Sequence, residues 1–324
     1  MRFLITGAGG FAGSHLADHL LATARPGDEV WGCDLRGERR PFHPAALKLL
    51  SADLRDPAAA RAMLDQARPE RIYHLAGRAA PSGSWANPWD TLETNLRAQV
   101  NLFEAVRATG LQARLLVLGS AEEYGRVAAD NLPIREDCPL RPDNPYGVSK
   151  VGQDLLGLQY FLSYGLHIVR VRPFNHIGPR QSPAFVAPAF ASQIAAIEAG
   201  RQAPVMRVGR LSARRDFTDV RDMVRGYALA LEQGEPGEVY NLGSGRMCTI
   251  EAVLNTLLSF SATKIGLETD PARLRPSEAT ELLCDAARFR ERTGWEAQIP
   301  LEQSLRDLLD YEREAAGLKQ QSAD

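Results

Sequence analysis

Short, almost continuous apolar runs recur through the first half of the chain, at Phe3–Thr6, Glu29–Cys33, Leu47–Ser51, Arg71–Leu75, Arg114–Gly119 and His167–Arg172. Between them, apolar residues return at helical spacing over Ser14–Leu21, Pro57–Gln66, Thr91–Ala108 and Pro145–Tyr164. Runs without polar alternation suit strands covered on both faces, and their alternation with helices predicts a doubly wound parallel α/β sheet. After Arg172 the texture changes to segments punctuated by Pro and Gly, with helical spacing at Phe190–Glu198, Val220–Glu232 and Ile250–Phe260. Glu238–Leu242 reads as one more buried strand. The expected division is therefore interleaved. Residues 1–172 with a returning segment at about 216–246 form the sheet domain, and 173–215 with 247–324 form a smaller α+β domain.

Composition narrows the field. The 324 residues are 44% hydrophobic, enough for a substantial core. Lys+Arg at 38 against Asp+Glu at 40 gives a formal net charge of -2, so no global basic field exists to hold nucleic acid or an anionic membrane. No run approaches the roughly 18 apolar residues a membrane span needs. The four cysteines, at 33, 138, 248 and 284, have neither disulfide-framework nor metal-knuckle spacing; a reducing cytoplasm and no metal are expected.

Candidate chemistry begins directly after the first run, at Gly7-Ala8-Gly9-Gly10-Phe11-Ala12-Gly13. Glycines here permit a tight turn and close approach of backbone to a pyrophosphate, which the following helix N-terminus favours electrostatically. Asp34 closes the second run, where a carboxylate can accept hydrogen bonds from an adenosine ribose. It disfavours a 2′-phosphate, whereas Arg36, Arg39 and Arg40 attract one; the balance leans to NAD with NADP left open. Asp53 and Leu54, after the third run, are placed to flank an adenine, although an ordinary loop aspartate satisfies the spacing equally well.

Downstream, Asn144-Pro145-Tyr146-Gly147-Val148-Ser149-Lys150 places Tyr146 and Lys150 on one helix face. A phenol normally ionises near pH ~10, so acid–base work at neutral pH needs a nearby cation to stabilise its anion. The run at 114–119 delivers Ser120 at its C-terminal end, the edge of an open sheet where ligands bind.

With these residues in place, Gly-x-x-Gly-x-x-Gly at Gly7, Gly10 and Gly13, Ser120 and Tyr146-x-x-x-Lys150, the chain resembles the extended short-chain dehydrogenase/reductase family. The resemblance spans nearly the whole chain, including His74-Leu75-Ala76-Gly77 and Asn95. It implies a Rossmann-type domain with Phe11 and Ala76 among the cofactor contacts, a smaller substrate domain, and chemistry on nucleotide-linked sugars. It also implies a homodimer pairing the helices at 91–108 and 145–164, with Leu155, Leu158 and Phe161 as interface candidates.

Within the family two branches are similar to Arg172–Arg180, Ala213–Phe217 and Arg275–Glu278: GDP-mannose 4,6-dehydratases and the NAD(P)H-dependent reductases of their 4-keto product, GDP-4-dehydro-6-deoxy-D-mannose. In either, Asn175, Arg215, Arg275 and Glu278 are the positions expected to meet a GDP-linked hexose. Ser82–Trp89, Gly178–Pro183 and Ile299–Leu305 look more like the reductase, and Phe185-Val186-Ala187-Pro188-Ala189 lacks the basic residues dehydratases carry there. Glu122 matches the residue that removes the C5 proton in dehydratases, but the reductases share it. The expectation is a reductase giving a GDP-6-deoxyhexose such as GDP-D-rhamnose, with the dehydratase, another epimerase or reductase of the group, or a non-catalytic nucleotide sensor as alternatives.

Overall fold

A computed structural model of the chain describes residues 1–271 and 281–318. The expected positions Arg275 and Glu278 lie outside the described residues. Seven of the apolar runs become strands of one parallel sheet: β1 (Arg2–Thr6), β2 (Glu29–Asp34), β3 (Lys48–Ser51), β4 (Arg71–His74), β5 (Arg114–Leu118), β6 (Ile168–Pro173) and, later in the chain, Val239–Leu242. Their order, β3-β2-β1-β4-β5-β6 and then the late strand, reverses direction between β1 and β4, which opens a crevice at the strands' carboxyl ends.

Helices cover both faces, as the non-alternating strands require. On one side lie α1 (Phe11–Ala22) and a later helix at Val220–Gln233, burying Leu16, Leu20, Val224 and Leu231. On the other lie α2 (Pro57–Ala67), a short α3 (Pro81–Ala86), α4 (Pro88–Thr109) and α5 (Pro145–Tyr164), burying Met63, Leu64, Leu102, Phe103 and Tyr160. Among the described residues no helix is long and apolar enough to cross a membrane.

The second region starts at β7 (Asn175–Ile177) and α6 (Val186–Glu198) and continues through β8 (Val205–Val208), β9 (Arg214–Asp219) and α7 (Val220–Gln233). Then come β10 (Val239–Leu242), β11 (Met247–Thr249), α8 (Ile250–Ser259), β12 (Gly266–Thr269), β13 (Glu281–Leu282), α9 (Ala287–Thr293) and α10 (Leu301–Ala315). β9 pairs with β7, β11 and β13, while β8 pairs with β12. Phe190, Ile194, Val253, Leu254, Leu305 and Leu308 make a separate core between α6, α8 and α10. One part of this stretch belongs elsewhere. Phe289 of α9 and Trp295 pack into the core of the seven-stranded sheet beside α7, although the sequence reading places 247–324 wholly in the smaller domain.

Candidate active site

A cleft of about 480 Å³ opens where the sheet order reverses. Its first wall is the glycine turn, contributed by Gly7, Gly10, Phe11 and Gly13. Gly7 takes φ 75°, a conformation side chains resist, and its N–H and that of Ala8 donate to Cys33 O at 2.8 and 3.3 Å. A Cβ on Gly13 would stand 2.1 Å from Gly7 O, so only glycine lets α1 approach the turn. Gly10 caps α1 with no side chain bonded to the first-turn amides, which leaves those N–H groups for an anion. This cradle fits a dinucleotide pyrophosphate. Ala76 lines the same floor, fixed by its N–H donating to Thr6 Oγ1 at 3.2 Å, an oxygen also hydrogen-bonded to His74 Nδ1 at 2.9 Å.

At the cleft's far end, Asp34 accepts the Gly9 N–H. Leu54 and Asp53 line this end too, and Asp53 pairs with Arg55 at 2.7 Å. Of the three arginines expected to draw a 2′-phosphate, Arg39 is occupied: it donates to Pro44 O at 2.7 Å and Leu47 O at 2.8 Å. Arg36 is exposed and outside the cleft lining. Arg40 stands beside Gly9 and Asp34, its Nε 3.1 Å from where a Gly9 Cβ would sit.

The third wall carries Ser120, Tyr146 and Lys150. Proline at N1 and the Asn144 cap, whose Oδ1 accepts Gly147 N–H at 2.8 Å, start α5 so that Tyr146 falls in its first turn and Lys150 one turn on. Ser120 follows β5 and opens a single 3₁₀ turn, Ala121–Glu123, through a reciprocal capping box with Glu123. The trio converges. The Ser120 hydroxyl lies close enough to the Tyr146 phenol to lower its pKa, and Lys150 Nζ lies 5.8 Å from the tyrosine ring centre. Burial pushes the phenol up, with Ser120 opposing it, so it holds its proton at neutral pH. Burial also pushes the Lys150 ammonium down to about 8, against the pull of Glu123. Lys150 donates to Leu118 O and to Gln153 Oε1, each at 2.9 Å.

Behind the trio lies a buried charge cluster that the sequence reading missed. Ser120 N–H donates to Glu123 Oε1 at 2.7 Å, and Glu123 Oε2 faces Arg172 Nε at 3.1 Å. Arg172 Nη2 meets Asp154 Oδ2 at 2.5 Å, and Arg170 Nη1 meets Asp154 Oδ1 at 3.0 Å. Burial lifts the Glu123 carboxyl to about 8, with Asp154 adding to the rise and Arg172 countering it. Two signals were legible: Ser-x-x-Glu at 120–123 is a capping-box spacing, and Asp154 lies one turn past Lys150 on the same helix face.

Further along the cleft, Asn175 of β7 lines it, and its buried Oδ1 has no partner among the described residues. Glu122 lines it as well, accepting from Asn144 Nδ2 at 2.8 Å. Val186 and Ala187, the apolar start of α6, sit opposite. Phe11 stacks on His176 at 5.6 Å, joining the glycine turn to β7. Arg215 is not brought to the cleft wall; half-buried on β9, it donates to Arg214 O at 2.9 Å.

A parallel sheet with a glycine cradle and a serine, tyrosine and lysine at one rim defines the extended short-chain dehydrogenase/reductase class. The chain belongs to its GDP-mannose 4,6-dehydratase family, whose model matches residues 4–308. It is 35% identical over 313 residues to GDP-6-deoxy-D-mannose reductase of Pseudomonas aeruginosa, covering 96% of this chain and 97% of that protein. Among solved structures, RMD from P. aeruginosa complexed with NADPH superposes with TM-score 0.85 at 32% identity, over 97% of this chain and all of the other. UDP-glucose 4-epimerase of Thermus thermophilus, in complex with NAD, gives 0.86 at 30% identity, over the same shares.

Proposed function

We propose that this protein is an NAD(P)H-dependent reductase of the 4-keto group of GDP-4-dehydro-6-deoxy-D-mannose, yielding a GDP-6-deoxyhexose such as GDP-D-rhamnose. The observation that carries the reading is the convergence of Ser120, Tyr146 and Lys150 on the rim of the glycine-cradled cleft, in a chain this similar to a GDP-6-deoxy-D-mannose reductase. Gly7, Gly10 and Gly13 with the open α1 amides hold the dinucleotide pyrophosphate, and Asp34 and Asp53 meet its adenosine end. When bound, the reduced dinucleotide supplies the hydride that reduces the sugar's keto carbon. Tyr146 donates its proton to the keto oxygen as the hydride arrives, so the carbonyl becomes a secondary alcohol. Lys150 stabilises the resulting phenolate, and Ser120 donates to the oxygen while its charge develops. Asn175 meets the GDP-linked sugar. In this reading residues 1–172 and about 216–246 bind the dinucleotide, and the remainder, apart from α9 and Trp295 packed on the large sheet, binds the sugar nucleotide.

Glu122 favours a second reading, GDP-mannose 4,6-dehydratase, because its carboxylate lines the cleft two residues after Ser120, where it can take a proton from C5. The two separate cleanly. With GDP-mannose alone the protein leaves the substrate unchanged, while with the 4-keto sugar and NADPH or NADH it consumes the reduced dinucleotide. Dehydration of GDP-mannose without added reductant would overturn the reductase reading.

The active unit we propose is a homodimer in the cytoplasm. Val148, Leu155 and Leu162 are exposed on α5 at seven-residue spacing, one stripe beside α4. Leu155→Glu combined with Leu162→Glu shifts the sedimentation coefficient from dimer to monomer. An unchanged coefficient places the contact elsewhere.

A further inference from the structure

We propose that Gln153 is a positioning residue for Lys150: its amide oxygen takes one of the ammonium's three N–H groups and thereby leaves one for a ligand in the dinucleotide cleft. This rests on the reading that the cleft holds a nicotinamide dinucleotide.

The hydrogen-bond inventory carries it. An ammonium has three donors and no acceptor. Leu118 O takes one and Gln153 Oε1 another, each at 2.9 Å, while Lys150 itself lines the cleft. The orientation of the Gln153 amide is fixed by chemistry, because its Nε2 donates to Asn95 O at 3.1 Å and a carbonyl can only accept. Its oxygen therefore has to face the lysine. Gln153 is buried, and its own carbonyl accepts from Gln99 Nε2 at 2.6 Å. Asn95 is held in turn, donating to Ser149 Oγ at 2.9 Å and accepting from Arg78 N–H at 2.7 Å. A ladder of amides thus pins Gln153 between α4 and α5. A lysine side chain has four flexible methylenes, and with Leu118 O alone to bond it would swing.

The charged and titratable groups facing Lys150 are few. Glu123 of the 3₁₀ turn raises its pKa; Tyr146 stands one turn earlier on α5; His74 of β4 lies close enough for Lys150 to lower its pKa further below the level that burial imposes. Asp154, one turn on, is taken by Arg170 and Arg172. Burial pushes the ammonium down to about 8, and an amide oxygen, which bonds the charged form more strongly than the neutral amine, opposes that loss.

Two near-isosteric variants test the role in opposite directions. Gln153→Met removes the acceptor. It weakens NADPH or NADH binding, read by fluorescence, by roughly three- to tenfold, the worth of one net hydrogen bond. It also moves the alkaline limb of both binding and turnover to lower pH. Gln153→Glu gives up the Asn95 bond but restores an acceptor with charge, and moves that limb above the wild-type position. The KM for the sugar nucleotide stays within about twofold of wild type in both, since neither change touches the substrate side. Limbs and dinucleotide affinities unchanged from wild type would overturn the proposal. Thermal melts report folding, and either variant alone still tests a signed shift. Should wild type bind dinucleotide but turn over no keto sugar, the limb shift in binding still decides the role of Gln153, while the reductase reading falls. Wild type binding no dinucleotide overturns both.

Discussion

Replacing Tyr146 with phenylalanine leaves the dinucleotide bound and lowers turnover by roughly a hundred- to ten-thousandfold, the range that general acid catalysis supplies. Only the phenolic oxygen is lost. The ring stays in its buried seat on α5, Lys150 keeps its bonds to Leu118 and Gln153, and the glycine cradle is untouched. Ser120 remains able to donate to the keto oxygen but has no base behind it to replace its proton, so it stabilises charge without completing the reduction. Steady-state turnover beside equilibrium binding of NADPH or NADH checks this. Turnover within threefold of wild type would remove the tyrosine from its proton-donor role.

Asp154→Ala is expected to destabilise the fold by about 3–5 kcal/mol, because it removes the carboxylate that both buried arginines share. The Asp154 side chain is fully buried, and those of Arg170 and Arg172 are only 7% and 5% exposed, so water does not replace the lost partner. Burial alone would lower the Arg172 pKa, but Asp154, Tyr124 and Glu123 reverse that and hold the guanidinium firmly charged. After the substitution Arg172 retains Glu123 at 3.1 Å, whereas Arg170 keeps Gly237 O at 2.8 Å and no carboxylate. Denaturant midpoints report the loss. Activity falls as well, because this cluster ties α5, with Tyr146 and Lys150, to β6 and, through Glu123, to the Ser120 backbone. A stability change below about 1 kcal/mol, the level of a solvent-screened pair, would contradict the account.

What was legible in the sequence follows its periodicity. All seven strands of the large sheet stand within one or two residues of their apolar runs, because strands buried on both faces leave an uninterrupted signal. Helix α5 matches at both ends, where Asn144-Pro145 and Gly165 mark the start and the stop. The short strands β7, β9, β11 and β13 escaped. Arg214-Arg215-Asp216 reads as a solvated basic stretch, and only pairing with β11 and β13 makes it a strand. Helix α10 carries Leu301, Leu305, Leu308 and Leu309 at helical spacing, a pattern hidden among charged residues. In the site, the glycines and Ser120 at strand ends and the four-residue spacing of Tyr146 and Lys150 on α5 pointed to residues that line the cleft, since that pattern depends on local order. The Glu123–Arg172–Asp154 cluster joins three elements, so spacing along the chain shows the Ser120–Glu123 and Lys150–Asp154 offsets but not the contacts that unite them.

The most direct test of the central claim is a single turnover of GDP-4-dehydro-6-deoxy-D-mannose with NADPH deuterated at the transferring position of the nicotinamide. The account predicts one deuterium per product molecule, at sugar C4, lost together with turnover in Tyr146→Phe. Product free of label, or label at any other carbon, would contradict it.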